Sequence, residues 1–517
     1  MTTRSKIFPD TYRDSFLLMK VATLIRQLDG IRNAEVMQAT PANKQLLARN
    51  QLFTDALRTA GPNDLCIAVR ADDEQRAIDA LTQAEALINQ GGVAQDRSRT
   101  SKSLHGGLAM LPEANLAFLS IPGAFVKGEA LKALRKGLNL FIFSDNVPIA
   151  DEVEIKTLAA QQGLLVMGPD CGTAIIHGKA LGFANAVRRG SVGLVGASGT
   201  GLQEVSVLLH HLGGGVSHAI GTGSNDVSDA VGGITMLRGI ELFEEDPATD
   251  LIVVVSKPLG PRTRETVVTR LHACRKPVVV NFLGEQRASS QERNIAYTVT
   301  LEDAALTAAS LSGAGSQREA LHALGARTGL TLEETRLAAS QKYLRGCFGG
   351  GTLAAESCHI LRSRISPIHS NLHLPGLLSL DDARQSTGHC VIDLGADEFT
   401  LGKPHPMLDP TIRNERLLQE AQDPETAVLL IDVVLGFGAH PDPVGMSIPY
   451  LQEAQRIAQE QGRCLPIVAS VCGTEEDPQH LLTQMKQLQN CGVISYVSNS
   501  QATIMAASLV PAREARV

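Results

Sequence analysis

A long internal repeat is the feature that most constrains how this chain can fold. The first copy contains, in order, VGLVGASGTGLQE, SHAIGTGSNDVSD, EEDPATDLIVVVSKPLGP and CRKPVVVNFLGEQ. The second contains LRGCFGGGTLAAE, GHCVIDLGADEFT, AQDPETAVLLIDVVLGFGA and RCLPIVASVCGTEED. Each copy indicates a strand, a glycine turn that opens a helix, and further strands alternating with helices. The copies are much longer than the roughly 20 to 50 residues of a solenoid unit, so we expect two duplicated α/β domains.

The sequence before the repeat predicts two smaller regions. Residues 1–97 alternate β-rich and helical pieces, which favours a small N-terminal α+β domain. Residues 98–188 start in a polar, glycine-bearing stretch that we expect to be a linker, and continue as β-α-β-α-β, the pattern of a parallel sheet. The first repeat then spans 189–316, a linker and helix 317–341, and the second repeat 342–517.

Composition excludes several classes of function. The net charge of −7, the 3% of aromatic residues and the absence of tryptophan argue against a nucleic-acid groove. No apolar run approaches the roughly 18 residues that a membrane span needs, and the N-terminus has no apolar signal core. The nine cysteines form no CxxC motif, so neither a zinc site nor a disulfide framework is expected. We therefore expect a cytoplasmic protein with reduced, mostly buried thiols and no metal site.

The two glycine turns are the first candidate site. In copy one the turn contains Ser198, Gly199, Thr200 and Gly201, and in copy two it contains Gly350, Gly351 and Thr352. The first turn is not a Walker loop, because Leu202 and Gln203 stand where lysine and serine or threonine are required. It also lacks the glycine order and the acidic residue of a dinucleotide fingerprint. Two readings stay open: backbone geometry at a helix start, or amides and hydroxyls that hold a phosphate or carboxylate.

Duplication gives the anion reading a physical basis. Each helix N-terminus carries unpaired N–H groups and about half a positive charge. If the two domains face each other, both turns converge on one anion. Lys257 follows a buried strand of the first copy and is a further candidate for contacting it, with a solvated turn lysine as the alternative.

A second group of polar residues lies in LGKPHPMLDPTIRNER. Lys403 and Arg413 are candidates for binding phosphate or a substrate carboxylate, and His405 for donating a proton. The alternative is a rigid surface loop held by pairing between Lys403 and Asp409.

The strand LLIDVVLGFGAHPDPVG supplies the remaining candidates. Gly436 and Gly438 follow a buried strand, where ligands of open α/β sheets bind, and His440 comes directly after them. A turn with a surface histidine is the alternative. Asp432 lies inside the apolar strand, so it either pairs with a cation or faces the site.

Several of these motifs resemble known families. MGPDCGTAII, VGLVGASGTGLQE, GTGSNDVSD and LFEEDPATDLIVVV are similar to the α-subunit of succinyl-CoA synthetase, and the second repeat to the ligase domain of its β-subunit. TPANKQLL, LFIFSDNV, GGGTLAAE, GKPHPMLDPTIRNE and VVLGFGAHPDPVG, with the others, resemble the FdrA family over nearly the whole chain. This resemblance implies a partial Rossmann-like, CoA-binding-type domain at 98–188, followed by two flavodoxin-like domains.

The family resemblance also implies functions. FdrA proteins are described as acyl-CoA-synthetase-like, and some as a subunit of oxamate carbamoyltransferase in allantoin breakdown. The synthetase α-subunit is phosphorylated on a histidine after the proline-led strand, whereas this chain has no histidine between Val278 and Leu301. The early glycine-rich half of the CoA-binding domain and an ATP-grasp domain also lack counterparts.

We therefore expect phosphate-linked group transfer, foremost carbamoyl transfer of the oxamate carbamoyltransferase type, with oxalurate phosphorolysis as a possible direction. Phosphate or carbamoyl phosphate would be the substrate, no cofactor would be required by this chain, and CoA would be possible. The alternatives are an acyl-CoA synthetase subunit and a non-catalytic, anion-binding scaffold. Small anionic substrates, partner subunits and a homo-oligomer are the expected partners.

Overall fold

The computed structural model describes residues 1–511 except for 10, 12, 14, 27, 41–42, 45–46, 49, 62–63, 91–100, 102, 286–288, 316–317, 325–336 and 401–402. The chain forms two compact units. The first comprises Met1–Glu113 with Asp397–Pro404, and the second comprises Ala114–Ala396 with His405–Val517.

The first unit is a small α+β domain, as the sequence predicts. Its sheet is antiparallel in the order β1-β3-β2, with β1 at Thr2–Phe8, β2 at Ile31–Gln38 and β3 at Leu65–Ala71. The helices are α1 (Ser15–Arg26), α2 (Glu74–Gln90) and α3 (Leu104–Met110), with short helical turns at Asp55–Arg58 and Asp397–Thr400. Helix α2 buries Ala77, Ala80, Ala84 and Ile88, the spacing of one helical face against a sheet.

The two expected linkers fall largely outside the described residues. Residues 91–100 and 102 carry most of the first one, and the chain is helical again from Leu104 in α3. The second one includes 325–336, which are also outside, and the described part before it forms α10, Arg318–Leu324.

The second unit starts with the predicted β-α-β-α-β segment. Three parallel strands lie in the order β4-β5-β6, and helices α4 and α5 connect them. The bounds are β4 Leu116–Leu119, α4 Gly123–Leu134, β5 Asn139–Ile142, α5 Ile149–Gln161 and β6 Val166–Met167. An antiparallel hairpin, β7 (Thr173–Ile176) and β8 (Lys179–Gly182), then joins the edge of the next sheet.

The first repeat forms an eight-stranded sheet in the order β13-β14-β12-β11-β9-β10-β7-β8. Its elements are β9 Arg189–Gly196, α6 Gly199–His211, β10 Val216–Gly221, α7 Ile234–Glu245, β11 Leu251–Ser256, α8 Pro261–His272, β12 Val278–Phe282, β13 Ser290–Glu292, β14 Ile295–Tyr297 and α9 Leu301–Leu311.

The second repeat forms a seven-stranded parallel sheet in the order β17-β16-β18-β15-β19-β20-β21. Its elements are β15 Tyr343–Phe348, α11 Gly351–Arg362, β16 Ile368–Ser370, β17 Leu378–Ser379, β18 His389–Asp393, α12 Thr411–Gln422, β19 Thr426–Val434, α13 Pro443–Glu460, β20 Ile467–Cys472, α14 Leu481–Asn490, β21 Ile494–Tyr496 and α15 Asn499–Ser508.

Both repeats have flavodoxin-like strand order, which confirms the predicted fold class. Counting only the five parallel strands that the two copies share, β10-β9-β11-β12-β14 and β18-β15-β19-β20-β21 both read 2-1-3-4-5. All nine residues of β19 are buried, as expected for a parallel strand covered by helices on both faces. The second copy differs by the extra strands β16 and β17 beyond β18.

Two buried glutamates join the repeats reciprocally. Glu204 of α6 accepts a hydrogen bond from the Asn499 amide, at the start of α15 in the other repeat (2.8 Å). Glu356 of α11 accepts one from the Leu301 amide, at the start of α9 (2.7 Å). A carboxyl oxygen at a helix N-terminus accepts from an amide that has no partner within the helix. The helices that follow the glycine turns are therefore fixed against each other across the pseudo-twofold interface.

Candidate functional site

The two glycine turns lie at equivalent places in the two sheets. The first follows β9, between β10 and β11, and the second follows β15, between β18 and β19. In each sheet this is the point where the strand order reverses, beyond the carboxyl ends of the strands. Open α/β sheets bind their ligands at this position.

The structure brings the two turns into direct contact. The Ser198 hydroxyl donates to Thr352 Oγ1 (3.0 Å), and both side chains are buried. A Cβ built on Gly350 would lie 2.9 Å from Thr200 Cγ2, and one on Gly201 would lie 3.0 Å from Thr352 Cγ2. The turns therefore face each other, as the duplication predicts, but side chains rather than empty space separate them.

The first turn presents free backbone donors. Helix α6 begins at Gly199, and Ser198 makes no side-chain capping bond to it. Within the described residues, the amides of Gly199, Thr200 and Gly201 have no hydrogen-bond acceptor. Gly199 is partly exposed, whereas Thr200 and Gly201 are buried, so solvent reaches this turn at Gly199.

The second turn is already occupied by this chain's own carboxylate. The amides of Gly349 and Gly350 donate to the two carboxylate oxygens of Asp432, with an N···O distance of 2.7 Å in each bond. A Cβ on Gly351 would lie 2.5 Å from a carboxylate oxygen of Asp393. The expectation that Gly350 and Gly351 hold an external anion is thus corrected: the Gly350 amide is engaged, and two carboxylates line this turn. Thr352 takes part only as the acceptor of the Ser198 hydroxyl.

Asp432 pairs with a cation and also faces the site, so both readings of this residue hold. It is fully buried in β19, and Arg413 Nη1 lies 3.9 Å from its Oδ1. Burial raises the pKa of Asp432, and the Arg413 charge opposes that shift. Arg413 also donates to the Asp432 carbonyl oxygen and to the Ser447 hydroxyl oxygen, the second bond with an N···O distance of 3.1 Å.

A small crevice opens beside this pair. It encloses about 10 Å³ and is lined by Gly349, Pro406, Met407, Arg413, Asp432, Val434 and Pro443. A space of about 10 Å³ has room for about one water molecule.

His405 lies near the crevice as a neutral imidazole. Its Nδ1 accepts a hydrogen bond from the Met407 amide (3.2 Å), which leaves the proton on Nε2. Burial of the ring lowers the pKa of His405 to about 4, although the residue keeps some exposed surface. At neutral pH it can donate a hydrogen bond from Nε2, beside the Gly349 carbonyl and Gly395, but it is not an imidazolium acid.

Gly436 and Gly438 face a segment of this chain. A Cβ on Gly436 would lie 2.5 Å from the Ala184 carbonyl oxygen, and one on Gly438 would lie 3.0 Å from the Phe183 ring. Both glycines have a positive φ, of 111° and 79°. Their lack of a side chain is therefore explained by intrachain packing. The adjacent His440 uses its Nδ1 to accept from the Asp442 amide (3.0 Å).

The two candidate lysines are both exposed. Lys257 follows the carboxyl end of β11, the strand next to the first turn. Lys403 belongs to the first unit, where its charge acts on Glu35, whose pKa is raised by burial and lowered by Arg26 and Lys403. Arg413 and His405 belong to the second unit.

The sequence reasoning missed three buried carboxylates of the site region. Asp393 is the last residue of β18 and lies beside the second turn, and Glu204 and Glu356 join the repeats. Both glutamates come five positions after the first glycine of their helices, Gly199 and Gly351. Aligning the two copies residue by residue would have exposed this shared acidic position on an otherwise apolar helix face.

Two further observations concern the described part of the chain. It contains no cluster of three or more histidine, cysteine, aspartate or glutamate side chains arranged to hold a metal ion. Its helices include none with the length and apolar character required to cross a membrane.

Three family models match separate parts of the sequence. They are described as "AllF, heavy metal-associated domain" over residues 1–103, "CoA binding domain" over 187–282 and "CoA-ligase" over 347–509. The CoA-binding match falls on the first repeat, beyond the 98–188 region. The repeats therefore have the fold of acyl-CoA synthetases.

Individual relatives agree with this assignment. ADP-forming succinate–CoA ligase subunit alpha of Methanothermobacter thermautotrophicus is 27% identical over 217 residues, 41% of this chain and 70% of that protein. The ADP-forming sulfoacetate-CoA ligase subunit SauD of Bilophila wadsworthia is 28% identical over 189 residues, 35% of this chain and 62% of that protein. YahF of Escherichia coli K12 is 43% identical over 514 residues, 99% of each chain. This chain therefore belongs, with YahF, to the FdrA family of succinyl-CoA-synthetase-like proteins.

Proposed function

We propose that this chain is a subunit of a CoA-ligase-type enzyme that transfers a small acyl or carbamoyl group to or from phosphate. The observation that carries this proposal is the free set of amides at residues 199–201, at the start of a buried helix. A phosphoryl group there would receive backbone hydrogen bonds and the favourable end of the α6 dipole. Lys257 is exposed and directly follows β11, the strand next to this turn.

The chain itself offers little for covalent catalysis. The segment from 278 to 301 has no histidine that could carry a phosphoryl group. Cys171 is buried, and desolvation raises the pKa of its thiol to about 12, which keeps it protonated. Substrate positioning and fixed hydrogen-bond donors are then the main contributions to catalysis, as suits transfer of an acyl or carbamoyl group from an acyl phosphate.

The relatives favour transfer to CoA. In this reading CoA lies at the carboxyl ends of β4 and β5, where the Ile121 amide bonds the Ser144 hydroxyl (2.9 Å) and Phe125 is 67% exposed. The alternative position is within residues 187–282, which the CoA-binding model matches. A partner subunit would supply the nucleotide site. Calorimetric titration of the full chain with CoA tests this, with Phe125→Ala as the variant. Binding that weakens in Phe125→Ala supports the reading, and lack of binding by the wild type contradicts it.

The FdrA resemblance, together with the match of residues 1–103 to the AllF domain model, favours a second candidate, carbamoyl transfer. In the phosphorolytic direction a phosphate oxygen attacks the carbamoyl carbon of an N-carbamoyl amide such as oxalurate. A new C–O bond forms, the C–N bond breaks, and the departing oxamate nitrogen takes up a proton. Incubation with carbamoyl phosphate and oxamate, with and without partner chains, tests this through release of phosphate. Carbamoyl phosphate that stays unchanged with every partner combination contradicts it.

A further inference from the structure

Thr173, the first residue of β7, is buried, with 3% of its surface exposed. Its carbonyl oxygen accepts from the Cys171 thiol (3.5 Å), but within the described residues its hydroxyl has no hydrogen-bond partner. Most buried polar side chains in folded proteins have a partner, so a hydroxyl without one requires an explanation.

Strand pairing fixes Thr173 at the carboxyl edge of the first repeat's sheet. β7 is antiparallel to β10, with Ala174 opposite Ile220, so Thr173 lies at the end of β10. A Cβ built on Gly221, the last residue of β10, would lie 2.4 Å from the Thr173 carbonyl oxygen. On its other side β7 pairs with β8, where Thr173 lies opposite Gly182. Neighbouring strands on both sides therefore hold the backbone of Thr173 in place.

The hydroxyl of Thr173 is directed at the first glycine turn. A Cβ built on Gly199 would lie 3.4 Å from Thr173 Oγ1, an ordinary van der Waals distance. Among the described residues outside the turn, no other atom lies within 4 Å of that Cβ position. Gly199 is also the residue at which solvent reaches the turn. A ligand at the start of α6 therefore has open space at Gly199 and lies beside an unused hydroxyl.

We propose that Thr173 is a binding residue of the first turn, whose hydroxyl donates to a phosphoryl oxygen held at the start of α6. The Gly199 amide and the Thr173 hydroxyl then bind the phosphoryl group from two different elements, α6 and β7. A hydrogen bond to a charged acceptor is roughly twice as strong as one between neutral groups. This inference rests on the proposed function, because it adds one donor to the phosphate site proposed there.

Thr173→Val is the main variant, because it replaces the hydroxyl with a methyl group and keeps the β-branched shape. Calorimetric titration of the full-length protein with inorganic phosphate measures the dissociation constant. We expect Thr173→Val to bind phosphate about tenfold more weakly than the wild type, the effect of one hydrogen bond to a charged group. Thr173→Ser keeps the hydroxyl and should retain most of the affinity. Thr173→Ala is the second variant if Thr173→Val fails to fold.

Thr426→Val is the matched control. Thr426 is fully buried at the first position of β19, the amino end of a strand in the second repeat, and its hydroxyl also has no partner within the described residues. The same substitution there should leave the phosphate affinity unchanged. Thermal unfolding without phosphate gives a second measurement. Because the Thr173 hydroxyl has no partner in the fold, Thr173→Val should have a melting temperature no lower than that of the wild type.

Three outcomes would overturn the role of Thr173. Equal phosphate affinities of the wild type and Thr173→Val would leave the first turn as a phosphate site without this donor, and a lowered melting temperature in that case would assign the hydroxyl a structural role. A loss of CoA affinity in Thr173→Val with unchanged phosphate affinity would mean that the hydroxyl contacts CoA instead. Lack of phosphate binding by the wild type would contradict the proposed function together with this inference.

Discussion

The two glycine turns have the same position in duplicated domains and different electrostatic surroundings. The first leaves the amides of residues 199–201 without acceptors within the described residues, whereas the second binds Asp432 and lies beside Asp393. A helix N-terminus attracts an anion in either case. The difference is that the second turn obtains its anion from the chain, whereas we propose that the first binds one from solution. Duplication of a fold therefore does not duplicate a ligand site.

The largest expected effect comes from removing the built-in anion. Asp432→Ala leaves two buried amides without an acceptor and Arg413 without its counter-charge, which we expect to lower the free energy of unfolding by about 3–5 kcal/mol. Urea denaturation measures this. The matched change in the first turn, Ser198→Ala, removes one neutral hydrogen bond and should cost only about 1 kcal/mol.

Formate provides a second test of the difference between the two turns, because it can replace the carboxylate that Asp432→Ala removes. We expect added sodium formate to raise the melting temperature of Asp432→Ala above the effect of sodium chloride at equal ionic strength. The wild type and Ser198→Ala should show no such gain. Equal losses of stability in Asp432→Ala and Ser198→Ala would contradict the conclusion that only the second turn depends on a carboxylate of the chain.

Adding a methyl group to each turn separates ligand binding from packing. A Cβ at Gly201 would lie 2.1 Å from Ser198 Oγ, and one at Gly351 would lie 2.5 Å from Asp393 Oδ2. Both changes should cost about 1–3 kcal/mol of stability through overpacking. Only Gly201→Ala should weaken phosphate binding, by about tenfold or more, as measured by calorimetry. Equal losses of phosphate affinity would assign the anion to both turns.

The reciprocal glutamates predict a pH-dependent stability. Desolvation raises the pKa of Glu204 to about 8 and that of Glu356 to about 7, both above the ordinary value of 4.5. Their contribution is complete below about pH 4.5 and is lost as the pH rises to the folded-state values, at up to about 1.4 kcal/mol per pH unit for each group.

Neutral variants isolate this effect. Glu204→Gln and Glu356→Gln keep an acceptor for the amides of Asn499 and Leu301 and cannot ionise. Denaturation from pH 5 to pH 9 should show a shallower loss of stability for each variant than for the wild type. Parallel pH profiles for variant and wild type would show that these carboxyls do not titrate in this range.

The smallest effect is expected at the rim of the first turn. Lys257 is exposed, so Lys257→Ala should change stability by less than about 0.5 kcal/mol. Phosphate affinity should fall by less than tenfold, and the loss should shrink at high salt because the charge is screened. The control is Lys342→Ala, at the amino end of β15, where the lysine pairs with Glu425 (2.7 Å). Equal effects of the two substitutions on phosphate binding would remove Lys257 from the site.

The sequence indicated that Asp432 is unusual but not which groups of the second turn it contacts. Asp432 was conspicuous as an acid within an apolar strand, but its partners Gly349, Gly350 and Arg413 lie 19 to 83 positions away along the chain. Likewise, the glycines at 436 and 438 signalled a close approach, and only the fold shows that Phe183 and Ala184 make it. The local sequence pattern indicates that a residue is unusual, whereas the identity of its partner depends on contacts between segments far apart in the chain.

The repeat and its strand–turn–helix units could be predicted from the sequence, because hydrophobic periodicity and glycine positions are local properties. The flavodoxin-like class and the family were predicted from the resemblance of the motifs to known families. Only the packing of the folded chain shows that the two turns are in contact, that Asp432 accepts hydrogen bonds from the amides of the second turn, and that His405 is neutral. These outcomes depend on burial and on distances between groups far apart in sequence, and burial is what sets the cost of an unpaired charge or amide.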